Sequence, residues 1–429
     1  MKIPPYISKT LLIIIMPLFL IGCSSIKTKE NPTHLSRVHI IDNNGFTETI
    51  HSKERLTSLR NINFLKSQPY QKVLRTFQRN KSGSTKSIIT TYYDHGQIKQ
   101  YLEVVDSRAY GVYKEWHHNG VVKLETRVIG GVSDITPSAE KSWVFDGTSR
   151  AWSEEGHLLA EIYYEKGELH GLSKRYHLSG VVHEETPYHH NALHGTTKIF
   201  RADGSLFSQA EFSQGEKHGT SFQYWKNGSV AAQENYSNGS LMSGKYIDNL
   251  GIIRSEIVGG EGFRSIFKGK ILAEQHEYKH GKPEGLVTIF DENSTPLRTY
   301  HIKNEVKHGE EIEFFTKVPK TQQKLSINWS EGKIQGLVKT WYDNGIQESS
   351  REMSMNKKNG ISTAWFRNGS LMLIEEFQDD VLLRGEYHKK GEKYPVSKVT
   401  GGNGEATLYD PDGNFLKKII YVSGLPAGT

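Results

Sequence analysis

Residues 147–170, GTSRAWSEEGHLLAEIYYEKGELH, are followed at 171–194 by GLSKRYHLSGVVHEETPYHHNALH, and the two segments carry one pattern. A glycine leads each, an aromatic stands five residues later at Trp152 and Tyr176, a second glycine follows at Gly156 and Gly180, and a second aromatic at Tyr164 and Tyr188. Self-similarity at a fixed period decides the architecture before any local motif is weighed.

The register extends in both directions. Gly195 with Gly204, Gly219 with Gly228, Gly336 with Gly345 and Gly360 with Gly369 repeat the pair, and Gly285 and Gly309 are again 24 residues apart. With the leading glycine as position 0, position 5 is aromatic at Trp116, Phe200, Tyr224, Trp341 and Trp365, and position 11 is aliphatic at Val122, Leu158, Val182 and Leu206. Position 17 is aromatic at Phe212, Tyr236 and Phe377.

A unit of this length split by a glycine turn has room for two strands of ~5–6 residues. Turns such as His118-Asn119-Gly120 and Asp343-Asn344-Gly345 suit a three-residue loop whose glycine takes positive φ and forms a bulge. Position 5 then pairs with position 11, and alternation is expected to put positions 5, 11 and 17 on one face. The predicted fold is all-β: an elongated single-layer antiparallel β-meander of stacked β-hairpin repeats, each burying aromatics against neighbours ~9–10 Å away. Gly147, Gly156, Gly171, Gly180, Gly195, Gly204, Gly219, Gly228, Gly336, Gly345, Gly360 and Gly369 are its expected structural positions.

The array is expected over residues 86–384, with insertions near 131–142 and 244–284 and a C-terminal repeat or cap at 385–429. A third, shorter interruption falls near Lys317 to Gln323. Insertions in such arrays emerge as loops on one face, which is often a binding face. Residues 38–85 read as a small N-terminal α/β cap: a hairpin about Asp42-Asn43-Asn44-Gly45, then short helices between Ser52 and Gln78 broken by Pro69.

At the N-terminus, Lys2 and Lys9 precede an apolar run from Leu11 to Ile21 that closes on Leu20-Ile21-Gly22-Cys23. The run is too short to span a membrane as a helix. It resembles a bacterial lipobox, which implies a signal peptide at 1–22, acylation of Cys23 and a polar tether over 23–37. Two or more acyl chains on Cys23 give stable membrane anchoring where one is marginal, and Ser24 resembles lipoproteins sorted to the outer membrane. Cys23 is the only cysteine in 429 residues, so no intramolecular disulfide forms.

Apolar residues make up 36% of the chain, below the ~45–50% of globular domains, which disfavours a thick two-layer core. A net charge of +6 is too diluted to imply nucleic acid, and Lys and Arg between aromatics follow from strand alternation.

Two histidine patterns need weighing. His276-Glu277-Tyr278-Lys279-His280 matches H-E-x-x-H, whose zinc chemistry requires a helix. The repeat register instead makes this a strand, where residues four apart are separated by ~13 Å. His170, His194, His218 and His308 each precede a leading glycine, and equivalent positions ~10 Å apart cannot share one ion. The adjacent pairs His117-His118 and His189-His190 are expected to point to opposite faces if they lie in strands. No metal, cofactor or catalytic residue is therefore expected.

Units such as Gly336-Leu337-Val338-Lys339-Thr340-Trp341-Tyr342-Asp343-Asn344-Gly345 resemble the MORN repeat, in the variant form of the YwqK-like antitoxin family. The resemblance implies a binding or tethering surface. The expected function is a lipid-anchored, non-enzymatic scaffold of the bacterial envelope, binding a protein or envelope polymer. An antitoxin or immunity role is the alternative, and an envelope metallohydrolase using the H-E-x-x-H segment a remote one.

Overall fold

A computed structural model describes residues 34–80, 83–316 and 322–427. The signal peptide, Cys23, most of the tether and the centre of the third interruption lie outside these residues. The chain divides into two compact units, residues 1–228 and 229–429. Each is an antiparallel β-meander in which the repeat strands pair in chain order, and among the described residues no helix is long and apolar enough to cross a membrane.

The first unit opens on β1 (Leu35–Asp42), β2 (Thr47–Ile50), α1 (Lys53–Leu59) and β3 (Tyr70–Phe77), then continues through β4 (Lys86–Tyr92), β5 (Ile98–Val105), β6 (Arg108–Trp116) and β7 (Val122–Val128). β1 lies between β2 and β3, and β3 pairs with β4, so the cap sheet runs directly into the repeats. Strand β1 already begins at Leu35, inside the stretch expected to be tether. Residues 70–77 form a strand, not the expected helix: Val73, Leu74 and Phe77 fit either period, and the open edges of β1 and β4 select the extended form. Leu56 and Leu59 of α1 close over Val38, Val73 and Phe64, the two valines being fully buried, and full burial of each such aliphatic contributes about 1.5–3 kcal/mol.

Within a repeat the three-residue loop forms as expected. The His117 N–H donates to Val121 O at 2.8 Å, the Gly120 N–H to His117 O at 2.9 Å, and Gly120 has φ +85°. Asn119 Oδ1 accepts from the Val121 N–H while its amide donates to Glu154 O in the next unit, and Asn344 repeats both contacts with Ile346 and Arg367. Asparagine before the turn glycine thus fixes its own loop and the adjacent one.

Position 5 pairs with position 11 in the uninterrupted hairpins, Trp116 with Val122, Trp152 with Leu158, Tyr176 with Val182 and Trp365 with Leu371, whereas the third interruption moves the partner of Phe314 to Gln323. The expected common face with position 17 does not form. A register shift follows at once, because Glu115 pairs with Leu124 and leaves Lys123 as an extra residue. That bulge reverses the parity, so position 17 pairs with the leading glycine: Gly147 with Tyr164, Gly171 with Tyr188, Gly195 with Phe212. The hydrophobic clusters follow this division. Tyr92, Ile98 and Trp116 join the cap core, whereas Tyr113, Leu102, Val104 and Val128 form a second one.

The leading glycines have a second cause besides positive φ. Glu103, Glu211, Glu277 and Glu352, all at position 16, accept from the N–H following the next leading glycine, on Val112 (3.1 Å), Thr220 (3.1 Å), Leu286 (2.6 Å) and Ile361 (3.2 Å). A Cβ on Gly111, Gly219, Gly285 or Gly360 would overlap that carboxylate.

Neither large insertion is a loose loop. Residues 131–142, with Trp143 just beyond them, fold over the face of β5 and β6, burying Ile135, Ala139 and Trp143, with the Trp143 ring 4.7 Å from Tyr113 and its indole N–H on Val132 O at 2.9 Å. Residues 244–284 continue the meander as strands Ile253–Val258, Glu261–Lys268 and Ile271–Lys279, turned at Gly259-Gly260.

The C-terminal segment repeats that second insertion. Leu241, Tyr246, Ile257 and Gly260 correspond to Leu382, Tyr387, Val399 and Gly402, each set closing a small core. Gly281 N–H donates to Gly260 O at 3.0 Å, as Gly424 does to Gly402 at 2.8 Å. Tyr246 donates to Glu234 and Tyr387 to Glu375, both at 2.9 Å. The copies differ beside the shared glutamate: Arg264 also binds Glu234 at 2.7 Å, while Ala406 fills the matching place. Desolvation raises the Glu375 pKa, against the lowering pull of the Tyr387 hydroxyl, Lys358 and Arg351. A carboxyl with a raised folded-state pKa contributes stability below its unfolded pKa and loses it as pH rises through the folded value. Glu375→Gln is therefore expected to raise Tm at pH 7, with the gain shrinking as the pH falls toward the ordinary glutamate value of 4.5. Thermal unfolding at both pH values checks this, and a lower Tm at pH 7 would count against it.

Candidate binding surface

In the first unit the bulge leaves positions 1, 3, 14 and 16 on the face opposite the position-17 aromatics. Positions 3 and 14 pair across the hairpin, and in three successive hairpins they carry opposite charges: Lys114 with Glu125 at 2.8 Å, Arg150 with Glu161 at 2.8 Å, Lys174 with Glu185 at 3.3 Å, whereas in the next Lys198 faces the neutral Gln209. Exposed pairs of this kind contribute ~0–1 kcal/mol each, so their regularity bears on the surface more than on stability. Hydrogen bonds from Tyr176 and Arg150 hold the Glu161 carboxyl below its ordinary pKa. Beside this charged row, Leu172 is 45% exposed and Tyr163 39%. They flank Gly171, where the missing side chain opens a shallow recess of about 470 Å³ bounded by Thr148, Arg150, Glu161 and Lys174. The combination of an apolar floor and ordered charged walls suits a polar, extended ligand surface.

His276 lies in strand Ile271–Lys279, its Nε2 2.7 Å from Glu274, while His280 occupies the following turn with φ +50°. Glu277 is the position-16 glutamate held by the Leu286 N–H. The strand expected from the repeat register is thus in place, and the segment has no helical face for a zinc site.

The condition set for His189-His190, that both lie in strands, is not met. His189 ends strand Val182–His189, but His190 has φ +49° and starts the two-residue turn with Asn191, so the two rings converge to 4.3 Å. Both approach His170, at 5.1 and 5.4 Å between centroids, and His194 lies 5.8 Å from His189. Partial desolvation, then the neighbouring imidazoles of His190, His170 and His194, lower the His189 pKa. The doubled histidine was visible in the sequence; the left-handed turn that turns it inward was not.

The MORN repeat variant family matches residues 169–190 and 217–238. Both matches start two residues before a leading glycine, in the register of the hairpins, and the chain carries MORN-type repeats there. No curated protein matches the chain. Among solved structures, it is similar to the Photorhabdus luminescens Tc holotoxin pore carrying the TccC3-D651A mutation, with 10% identity, 90% of this chain and 27% of that one covered, and a TM-score of 0.14. A porin-like protein from Bacteroides uniformis ATCC 8492 is also similar, with 9% identity, 56% of this chain and 94% of that one covered, and a TM-score of 0.14. The chain spans about a quarter of the length of the toxin chain.

Proposed function

We propose that this protein is a lipid-anchored, non-enzymatic scaffold of a bacterial cell envelope, which holds a protein or envelope polymer on the outward faces of its MORN-type repeats. The observation that carries the reading is the recurrence of one surface pattern, position-3 cation against position-14 glutamate, beside exposed Leu172 and Tyr163. A ligand with its own repeat would meet the same chemistry at steps of ~9–10 Å over these three hairpins. The Lys2, Lys9 and Leu20-Ile21-Gly22-Cys23 sequence supports acylation of Cys23 as the anchor.

Two measurements test this. Cys23→Ser is expected to abolish acyl labelling and to release the protein from membranes or leave its precursor uncut. Retained acylation would sink the anchor. For the surface, the acylated protein is crosslinked in intact envelopes, comparing wild type with a Lys114→Glu, Arg150→Glu, Lys174→Glu variant. Loss of a specific crosslinked species in the variant supports the scaffold role, and an unchanged pattern refutes this face as the binding site. A stoichiometric complex with one secreted toxin would favour the immunity-type role that the sequence resemblance implies.

A further inference from the structure

Three histidines meet at the junction of two consecutive hairpin turns in the first unit. His170 follows the turn at Lys166-Gly167, and its N–H donates to Tyr163 O at 3.1 Å. The next turn, His190-Asn191, is clamped beside it: the Asn191 N–H donates to Leu169 O at 2.9 Å, and the Leu169 N–H to Asn191 Oδ1 at 2.8 Å. The backbone therefore fixes where all three imidazoles start. One donor atom from each lies within 4.8 Å of the others, and two ligands on one tetrahedral zinc at bonds of ~2.0–2.1 Å are about 3.3 Å apart. Side-chain rotation of about an ångström closes that gap.

We propose that His170, His189 and His190 bind one borderline divalent transition ion, of which zinc is the representative, and that the ion ties one repeat turn to the next.

The surroundings favour ligation. His190 Nδ1 bonds Glu168 Oε2 at 2.6 Å, which leaves its Nε2 for a metal. His170 Nε2 lies 3.6 Å from Glu165 Oε2, and its Nδ1 is buried with no hydrogen-bond partner. Carboxylates holding the second nitrogen of a ligand histidine orient the ring and raise its basicity. Three neutral imidazoles without thiolate suit zinc, copper, nickel or cobalt rather than calcium or magnesium. Three protein ligands also leave one coordination position open to water or to a side chain of a partner.

The array contains its own comparison. His194 and His218 occupy the same place before a leading glycine, but the residues matching His189-His190 are Ser213-Gln214 and Ser237-Asn238. The site belongs to a single junction.

The test uses the mature chain without a polyhistidine tag. Competition with a chromophoric chelator is expected to give one zinc per chain at micromolar affinity or tighter, and cobalt is expected to give the intense visible bands of a tetrahedral nitrogen site. His189→Gln and His190→Asn each should weaken binding about tenfold or more, the asparagine being chosen because it tolerates positive φ. Glu168→Gln should weaken it less, and His308→Gln should change nothing. Both histidines are exposed, so the variants should keep the wild-type circular dichroism. Binding unaffected by the His189 and His190 changes, or no saturable single-ion binding, overturns the proposal, and neither outcome bears on the envelope-scaffold reading.

Discussion

Glu311→Ala is expected to destabilise the unit of residues 229–429 by about 3–5 kcal/mol. Glu311 stands at position 2, where Ser173, Ser221 and Ser362 occupy other repeats, and is only 1% exposed. Its carboxylate is held by Arg298, by Lys307 at 2.6 Å and by the Trp329 indole at 2.7 Å, and Lys307 also lies 4.8 Å from the Trp329 ring. Removing the anion leaves Lys307 without its carboxylate and Arg298 with only the more distant Glu313, 3.9 Å away, which costs more than the pair itself is worth. Glu311→Gln keeps the shape and one acceptor and should cost less. Urea unfolding by tryptophan fluorescence checks both, and an alanine variant within about 1 kcal/mol of wild type would show that the cluster is not needed.

Gly360→Ala is expected to cost about 1.5–3.5 kcal/mol, combining ~1–2 for a side chain at positive φ with ~0.5–1.5 for the hydrogen bond lost as Glu352 is displaced. Gly360 has φ +109°, and its Cβ would overlap the carboxylate that accepts from the Ile361 N–H at 3.2 Å. The two contributions separate in a double-mutant cycle. In a Glu352→Ala background the glycine substitution should cost only its backbone part. Strict additivity would mean that the carboxylate plays no part in the requirement for glycine.

The leading glycine was legible as a turn residue, yet its glutamate partner was not, although Glu103, Glu211, Glu277 and Glu352 recur at one position in the sequence. Hairpin pairing could be read because Asn-Gly loops leave a residue signature. Which face each aromatic takes could not, because the bulge at position 12 is occupied by ordinary residues such as Lys123 and reveals itself only in the pairing. The 244–284 segment could be read as an interruption of the register, but not as further strands of the meander, for a related reason. Its Gly259-Gly260 turn breaks the 24-residue count while preserving the strand order, and only the packed copies about Tyr246 and Tyr387 expose it as a motif used twice. The His170 cluster fell between two readings, one for strands and one for equivalent positions, and needed the turn geometry of His190.

Within each compact unit, successive hairpins meet along a seam narrower than the hairpins themselves. Lys174 pairs with Glu161 and Arg175 with Ala160, and Glu184 and Glu185 pair with Ile199 and Lys198. Beyond these, the turn N–H of one unit reaches a carbonyl of the previous one, as Asn191 reaches Leu169 and Gly215 reaches Leu193, both at 2.9 Å. At the other end, the position-6 side chain bonds the next position-5 carbonyl, as His177 does on Phe200 at 3.1 Å and Tyr342 on Trp365 at 2.7 Å. Every one of these bonds uses backbone that the following repeat supplies again in the same place. Excising residues 195–218 would join His194 to Gly219 and present each severed group with an equivalent partner. The chain can thus change its reach in whole steps of about 9–10 Å by duplication or loss of a segment, without inventing a new interface.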